Sequence, residues 1–402
     1  MLNKKLLTGV CTALILLSHY TQAVELVKTK TSSLDLNGQI QTLGVLEHLK
    51  DPVRDDTRVF LFLKQSRLQL KGTQEELSYY IQLRFGGEEA ADENSSLGLL
   101  DFYTDMPASW LWDALPGTLR VGQFKVPYSS EKLASSKTLL FAKRSIQTLA
   151  FGVGRDVGAA IIIDNNNFDF TGGIFTGGGA DIPERYLPEK FGFPLIAIRT
   201  GITNSDKSSF HINALYTKDS EVGHSTVLKV KYSDYSILQS SKWNPFIGTT
   251  PIDLGSLFLI GGDMTAEVPL GVGKFSMSGE LNYGTYKNTY GTLSVYGGSF
   301  QGAFHQPKMD IGVRYAFLKP DNDFSSGIGD EIIHEVTPAL TYKLKGDNVK
   351  LIVDMPMLIN VPVATESGVG SYVLSEQPDQ ITSGSVGRQK VVQLRTILQV
   401  LF

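Results

Sequence analysis

Between Thr118 and Gly158 the sequence gathers Lys125, Ser129, Ser130, Lys132, Ser135, Ser136, Lys137, Lys143, Arg144 and Arg155 between two strand-like runs, with a proline break at Pro127. Ammonium, guanidinium and hydroxyl groups so placed can replace water around a passing anion without holding it tightly. A second reading of the same residues is structural: Ser129 caps a short helix with Glu131 in its first turn, and the lysines stay solvated. Covalent chemistry finds no support elsewhere. There is no Gly-x-Ser-x-Gly turn, no HExxH pair and no P-loop. Gly152-Val153-Gly154 with Gly158 has the wrong spacing for a dinucleotide fingerprint. Gly177–Asp181 is a lone glycine-rich run, and His211, His224, His305 and His334 lack ligand spacing. No enzyme activity, cofactor or metal is expected.

The elements that position this stretch follow from period and export. Lys4 and Lys5 precede a largely apolar run of twelve, Leu6–Leu17, and Thr21-Gln22-Ala23 resembles a cleavage site. Twelve residues cannot span a bilayer, so residues 1–23 read as a signal peptide and 24–402 as the mature domain. Cleavage removes Cys11, the one cysteine, leaving no disulfide or thiolate site. It also leaves 35 basic against 41 acidic side chains, a net of about −6, which argues against nucleic acid as a partner. No later apolar run approaches twenty residues. The chain is therefore either soluble beyond the inner membrane or a closed β-barrel.

Period two dominates the rest. Leu77, Tyr79, Ile81, Leu83 and Phe85 alternate with Ser78, Tyr80, Gln82 and Arg84. The same pattern runs through Lys274–Tyr286 and Met309–Phe317. Similar runs lie near 34–46, 57–71, 98–105, 118–126, 155–163, 167–176, 193–203, 208–217, 225–237, 255–269, 291–304, 331–344, 348–358 and 388–402, making seventeen candidate strands. An even number is expected of a bacterial barrel, so sixteen is the expectation and one run is superfluous. Gly346-Asp347, Asn165-Asn166 and Gly271-Val272-Gly273 suit tight hairpins. The polar stretches 87–97, 177–192, 319–330 and 362–387 suit longer loops on the other rim. The last run puts Val392, Leu394, Thr396, Leu398, Val400 and Phe402 on one face, though Ile397 and Leu401 dilute the other. A terminal aromatic on such a strand resembles the signal read by outer-membrane assembly machinery. The fold class predicted is all-β, a sixteen-stranded transmembrane antiparallel barrel in the bacterial outer membrane. A soluble secreted β-protein or adhesin is the alternative.

VGQFKVPYSSEKLASSKTLLFAKRS followed by GRDVG resembles the phosphate-selective porin O and P family, as does IGGDMTAEVPLGVGKFSMSGELNYG at 260–284. The resemblance implies a trimeric porin whose third loop bends inward, in contact with outer-membrane lipid and passing small hydrophilic solutes or anions such as phosphate. It also implies that Lys132, Ser135 and Ser136, a Lys-x-x-Ser-Ser stretch, form part of an anion site with Arg144, beside Lys137. Two departures weaken the phosphate assignment. Tyr80 stands where phosphate-specific members carry a second lysine, next to inward-facing Arg84. Between 160 and 250 only Arg185 and Arg199 could supply the family's wall of arginines. Arg67, Arg84, Arg120, Arg199 and Arg314 are expected to face the lumen, with Asp101, Asp105 and Glu280 opposing them across the pore.

Overall fold

A computed structural model describes residues 24–50, 55–87, 98–165, 167–177, 193–204, 208–218, 256–288, 291–322, 332–363 and 387–402. Their strands are β1 (Val24–Lys28), β2 (Ser32–Lys50), β3 (Asp55–Gln74), β4 (Leu77–Gly87), β5 (Gly98–Pro107) and β6 (Thr118–Lys125). β7 (Arg155–Asp164), β8 (Phe168–Phe175), β9 (Phe193–Asn204), β10 (Ser208–Lys218), β11 (Ser256–Leu270) and β12 (Gly273–Asn288) follow. The series ends with β13 (Gly291–His305), β14 (Met309–Asn322), β15 (Ile333–Lys345), β16 (Val349–Asp354), β17 (Met357–Val363) and β18 (Gly387–Leu401).

Consecutive strands pair antiparallel except β16 with β17, and β18 pairs with β2 to close the ring. β16 and β17 share the same partners, β15 and β18, and act as one strand broken at Met355–Pro356. Proline has no N–H to give the ladder, so a bulge there is expected. The ladder resumes at once: Met355 N–H donates to the Pro338 carbonyl (3.0 Å) and Gln393 N–H to that of Pro356 (3.1 Å). Counted this way the barrel has sixteen staves. Of the seventeen expected runs, 225–237 lies outside the described residues, and the ring closes without it because β10 pairs directly with β11.

The sixteenth stave is made from both ends of the chain. Phe402 exchanges backbone bonds with Gly38, and β1 takes up the same edge of β2 at Leu36, where Val24 pairs. Closure of this kind leaves no long unpaired edge, the condition for crossing hydrocarbon with strands.

The faces sort as period two requires. On β14, Ile311 and Val313 are exposed outside while Arg314 is buried inside; on β18, Val392 and Leu394 are outside while Gln393 and Arg395 are inside. Ile397 belongs to the inner set for a reason that strand pattern alone does not reveal. It joins Leu43, Val45, Ile352 and Ala142 in an apolar cluster inside the barrel, backed by Phe60 and Phe62. Ala142 belongs to no strand. It lies in the connection between β6 and β7, which therefore enters the lumen.

The expected hairpins are present where described. Gly271 (φ +58°) and Gly346 (φ +55°) supply left-handed residues to the β11–β12 and β15–β16 turns. Asn165 begins the β7–β8 turn, while Asn166 lies outside the described residues, as do 88–97, 178–192, 323–331 and 364–386 of the long-loop rim.

Candidate functional site: the inward loop and the walls it meets

The connection 126–154 is the third on the long-loop rim, and its base is pinched by a bond from Val126 N–H to the Gly154 carbonyl (3.2 Å). Two short helices organise it, α1 (Ser130–Leu133) and α2 (Ile146–Phe151). Ser129, held at φ +67°, accepts from Lys132 N–H, and Ser145 accepts from Thr148 N–H. The capping role read for Ser129 is thus present. Glu131 does more than sit in the first turn of α1. Its carboxylate receives Ser145 N–H (3.0 Å), the Ser145 hydroxyl (2.6 Å), the Thr148 hydroxyl (2.5 Å) and Arg314 (3.2 Å). One carboxylate therefore joins both helices to the barrel wall.

The loop is docked along its length. Tyr128 donates its hydroxyl to Asn282 on β12 (2.8 Å), and Glu280 accepts from the Ser130 hydroxyl (3.4 Å). Ile146 N–H donates to Glu335 on β15 (2.8 Å), and Ala142 N–H to Asp354 on β16 (2.7 Å). Lys64 on β3 donates to the Ala142 carbonyl (2.6 Å), and Lys350 on β16 to that of Lys137 (2.7 Å). Glycines on the wall make room for the loop's apolar side chains. A Cβ at Gly297 would lie 2.6 Å from the Phe151 ring, and one at Gly312 would lie 2.4 Å from Leu140. A loop anchored from β12 round to β3 crosses the lumen and narrows it.

The sequence-predicted residues separate into two groups. Ser136 and Lys137 meet β2 and β3: the Ser136 hydroxyl accepts from Gln39 (3.2 Å) and Arg67 (3.3 Å), and Lys137 Nζ donates to Gln69 (2.6 Å). Arg84 and Tyr80 lie on the adjacent inner face of β4, where Arg84 is in register with Arg67 and Tyr80 with Lys71. Tyr80 packs against Tyr103 with ring centroids 5.3 Å apart. Lys132 and Arg144 belong to the other arm. Arg144 donates to the carbonyls of Glu131 and Ala134 (both 2.8 Å), and Lys125 Nζ grips those of Lys132, Leu133 and Ala134. These cations serve the C-terminal carbonyls of α1, which have no helical partner of their own. The Lys132 stem runs past Gly152, where a Cβ would come within 2.9 Å. Ser135 is exposed and its hydroxyl accepts from Lys137 N–H, while Ser136 is turned into the wall. The two serine hydroxyls therefore do not face a common space.

The expected opposition of acids and arginines across the pore is corrected. Asp105 pairs with Arg120 from the adjacent strand (2.7 and 2.8 Å), and Asp101 with Arg155 (2.8 and 3.0 Å). Arg199 forms a bidentate pair with Asp263, and Glu280 holds the loop and Asn282 rather than an arginine. Arg314 binds Glu335, and Arg395 binds Asp354. Asp263, Glu335 and Asp354 were not anticipated. All sit on inner-face positions of alternating strands, so period two marks them as inward; pairing required the register. His211 lies between Asp169 (2.8 Å) and Asp263 (3.5 Å), and His305 lies against Asp310 (3.1 Å), both on the wall; His224 lies outside the described residues.

With loop and barrel in view, comparison with known proteins is decisive on family. The sequence profile of the phosphate-selective porin O and P family matches residues 49–309. The chain belongs to the phosphate-selective porin O and P family. It is an outer-membrane β-barrel porin, and the soluble secreted alternative is overturned. Solved structures share the fold. The anion-selective porin from Comamonas acidovorans aligns at 15% identity over 92% of this chain and 99% of that one, with a TM-score of 0.59. The outer membrane channel DcaP of Acinetobacter baumannii aligns at 12% identity over 93% and 99%, with a TM-score of 0.57. The trimer form of OmpT, an outer membrane protein of Vibrio cholerae, aligns at 10% identity over 92% and 100%, with a TM-score of 0.52. No curated protein matches the sequence.

Proposed function

We propose that this porin passes small hydrophilic solutes by diffusion and favours anions where the inward loop meets β2 and β3, without a dedicated phosphate site. No catalytic step or cofactor enters this reading. The observation that carries it is the contrast between Lys137 on the loop and five acids of the wall. Asp101, Asp105, Asp263, Asp354 and Glu335 each pair with an arginine on the same wall. Lys137, on the loop beside β3, instead bonds the amide oxygen of Gln69, which leaves its positive charge uncompensated by that bond. Lys137 also lies beside Arg67 through Ser136 and Gln69. Positive charge in a narrow, low-dielectric passage raises the local concentration of anions.

The phosphate reading is weaker for stated reasons. Ser136 is occupied by Gln39 and Arg67, Arg144 by backbone carbonyls, and Tyr80 replaces a lysine. Phosphate titration of single channels in planar bilayers tests it. The expected result is conduction without saturable block by phosphate, little changed in Lys132→Ala. High-affinity block lost in Lys132→Ala would establish the dedicated site instead.

The mature chain in this proposal is 24–402, released from a signal peptide at Ala23, and the working form is a homotrimer. N-terminal sequencing of the outer-membrane form should begin at Val24.

A further inference from the structure

Connections on the short-turn rim are two or three residues long between β3 and β4, β11 and β12, β13 and β14, and β15 and β16. The one between β5 and β6 is ten, residues 108–117. It is a built element. Ala108 N–H donates to the Gly117 carbonyl (2.9 Å) and closes the neck. A 3₁₀ turn, Ala108–Trp110, follows, and Leu115 N–H donates to the Trp112 carbonyl (2.7 Å). Gly117 sits at φ +89°, where a Cβ would strike the Ile162 carbonyl oxygen at 2.2 Å, so the neck is pressed against β7.

This fixed knob presents three consecutive large apolar side chains outward: Trp110, Leu111 and Trp112 are 56%, 65% and 68% exposed. Asp113 is the only charge among residues 108–117. Apolar exposure of this size on an ordered turn marks a contact surface. The surface continues the outer wall of the barrel, where Phe102 on β5 and Val121 on β6 are exposed. Leu119 lies on that same outer face, yet it is 9% exposed against 43% for Val121. Cover over the outer wall thus begins where the knob begins.

We propose that Trp110, Leu111 and Trp112 form an anchor seated in the periplasmic leaflet of the bilayer, at the boundary between headgroups and acyl chains. Indole rings suit that boundary because the ring is apolar while the N–H can donate to glycerol or phosphate oxygens. The leucine between them enters the acyl region. The anchor fixes the height of the β5–β6 hairpin, and with it the strand from which the inward loop departs. It does not depend on the solute preference of the pore.

The chain has three tryptophans, and the third is Trp243. Full-length Trp243→Phe refolded into phosphatidylcholine vesicles therefore reports on the knob alone. Lipids brominated near the carbonyl end of the acyl chain should quench the emission at least two-fold, lipids brominated near the terminal methyl less, and aqueous acrylamide weakly. Strong acrylamide quenching with no effect of bromolipid would overturn the anchor and put the knob in water. Resistance to both quenchers, relieved when the oligomer dissociates, would also overturn it and assign the surface to a second copy of the chain. If Trp243→Phe does not refold, the wild-type signal minus that of Trp110→Phe/Trp112→Phe gives the same reading.

Discussion

The two walls met by the inward loop hold their charge differently. On the β14–β18 side, arginines are matched: Arg314 lies between Glu335 and Glu131, and Arg395 forks onto Asp354. The same carboxylates accept loop N–H groups from Ile146 and Ala142, so each acid serves an arginine and the loop together. On the β2–β3 side the loop is met by amides and a guanidinium, with Lys137 on Gln69 and Ser136 between Gln39 and Arg67. A charge buried with its partner fastens the loop but presents little field to a solute. A cation bonded to a neutral oxygen keeps its field. One side is the anchor and the other is the selective face.

Breaking the anchor should have the largest effect. Arg314→Ala leaves Glu335 buried without its cation, and loss of one partner from such a pair costs about 3–5 kcal/mol. Denaturant unfolding of the refolded barrel should show this loss, and single-channel records should become noisier as the loop loosens. Ser136→Ala, on the other side, removes a neutral acceptor from Gln39 and Arg67 and should cost about 1–3 kcal/mol. The comparison fails if Ser136→Ala destabilises as much as Arg314→Ala. Lys137→Ala should leave the unfolding midpoint nearly unchanged while lowering anion preference.

The smallest effect is a pH dependence. Burial, and then the charge of Arg67, pulls the Lys137 ammonium below its ordinary value of 10.5. A depressed lysine loses its proton, and hence its attraction for anions, as pH rises through that lowered value, before ordinary lysines titrate. Lys137 should therefore stabilise the fold less when charged, and its contribution to anion preference should fade on the alkaline side. Reversal potentials across that pH range should drift in the wild type and stay flatter in Lys137→Ala.

The strands were legible from alternation, because a wall with lipid outside and polar groups inside writes period two into each of them, and the barrel followed once the export signal, the lack of a long apolar run and the terminal Phe402 were added. The entry of loop 126–154 was legible only through its family-like stretch. Its physical cause is dispersed over wall positions such as Gly297, Gly312 and Ile397. Each looks like an irregularity in its own strand until the loop is seen to fill the space beside it. Charge roles were hidden for a related reason. Arg120 and Asp105 are both plainly inward-facing, but whether they oppose each other across the lumen or pair along the wall depends on register, which period two does not specify. Ser136 shows the same limit at one residue: its place in a Lys-x-x-Ser-Ser stretch suggests a ligand contact, whereas the neighbouring Gln39 and Arg67 hold its hydroxyl to the wall.

The central claim is that the β2–β3 face of the constriction, with Lys137, sets an anion preference that the paired wall does not. The most direct measurement is the zero-current potential of the reconstituted porin across a tenfold potassium chloride gradient, in wild type and Lys137→Ala. The wild type should show an anion-selective potential that moves toward zero in Lys137→Ala. A cation-selective wild type, or a potential unmoved by the substitution, would contradict the claim.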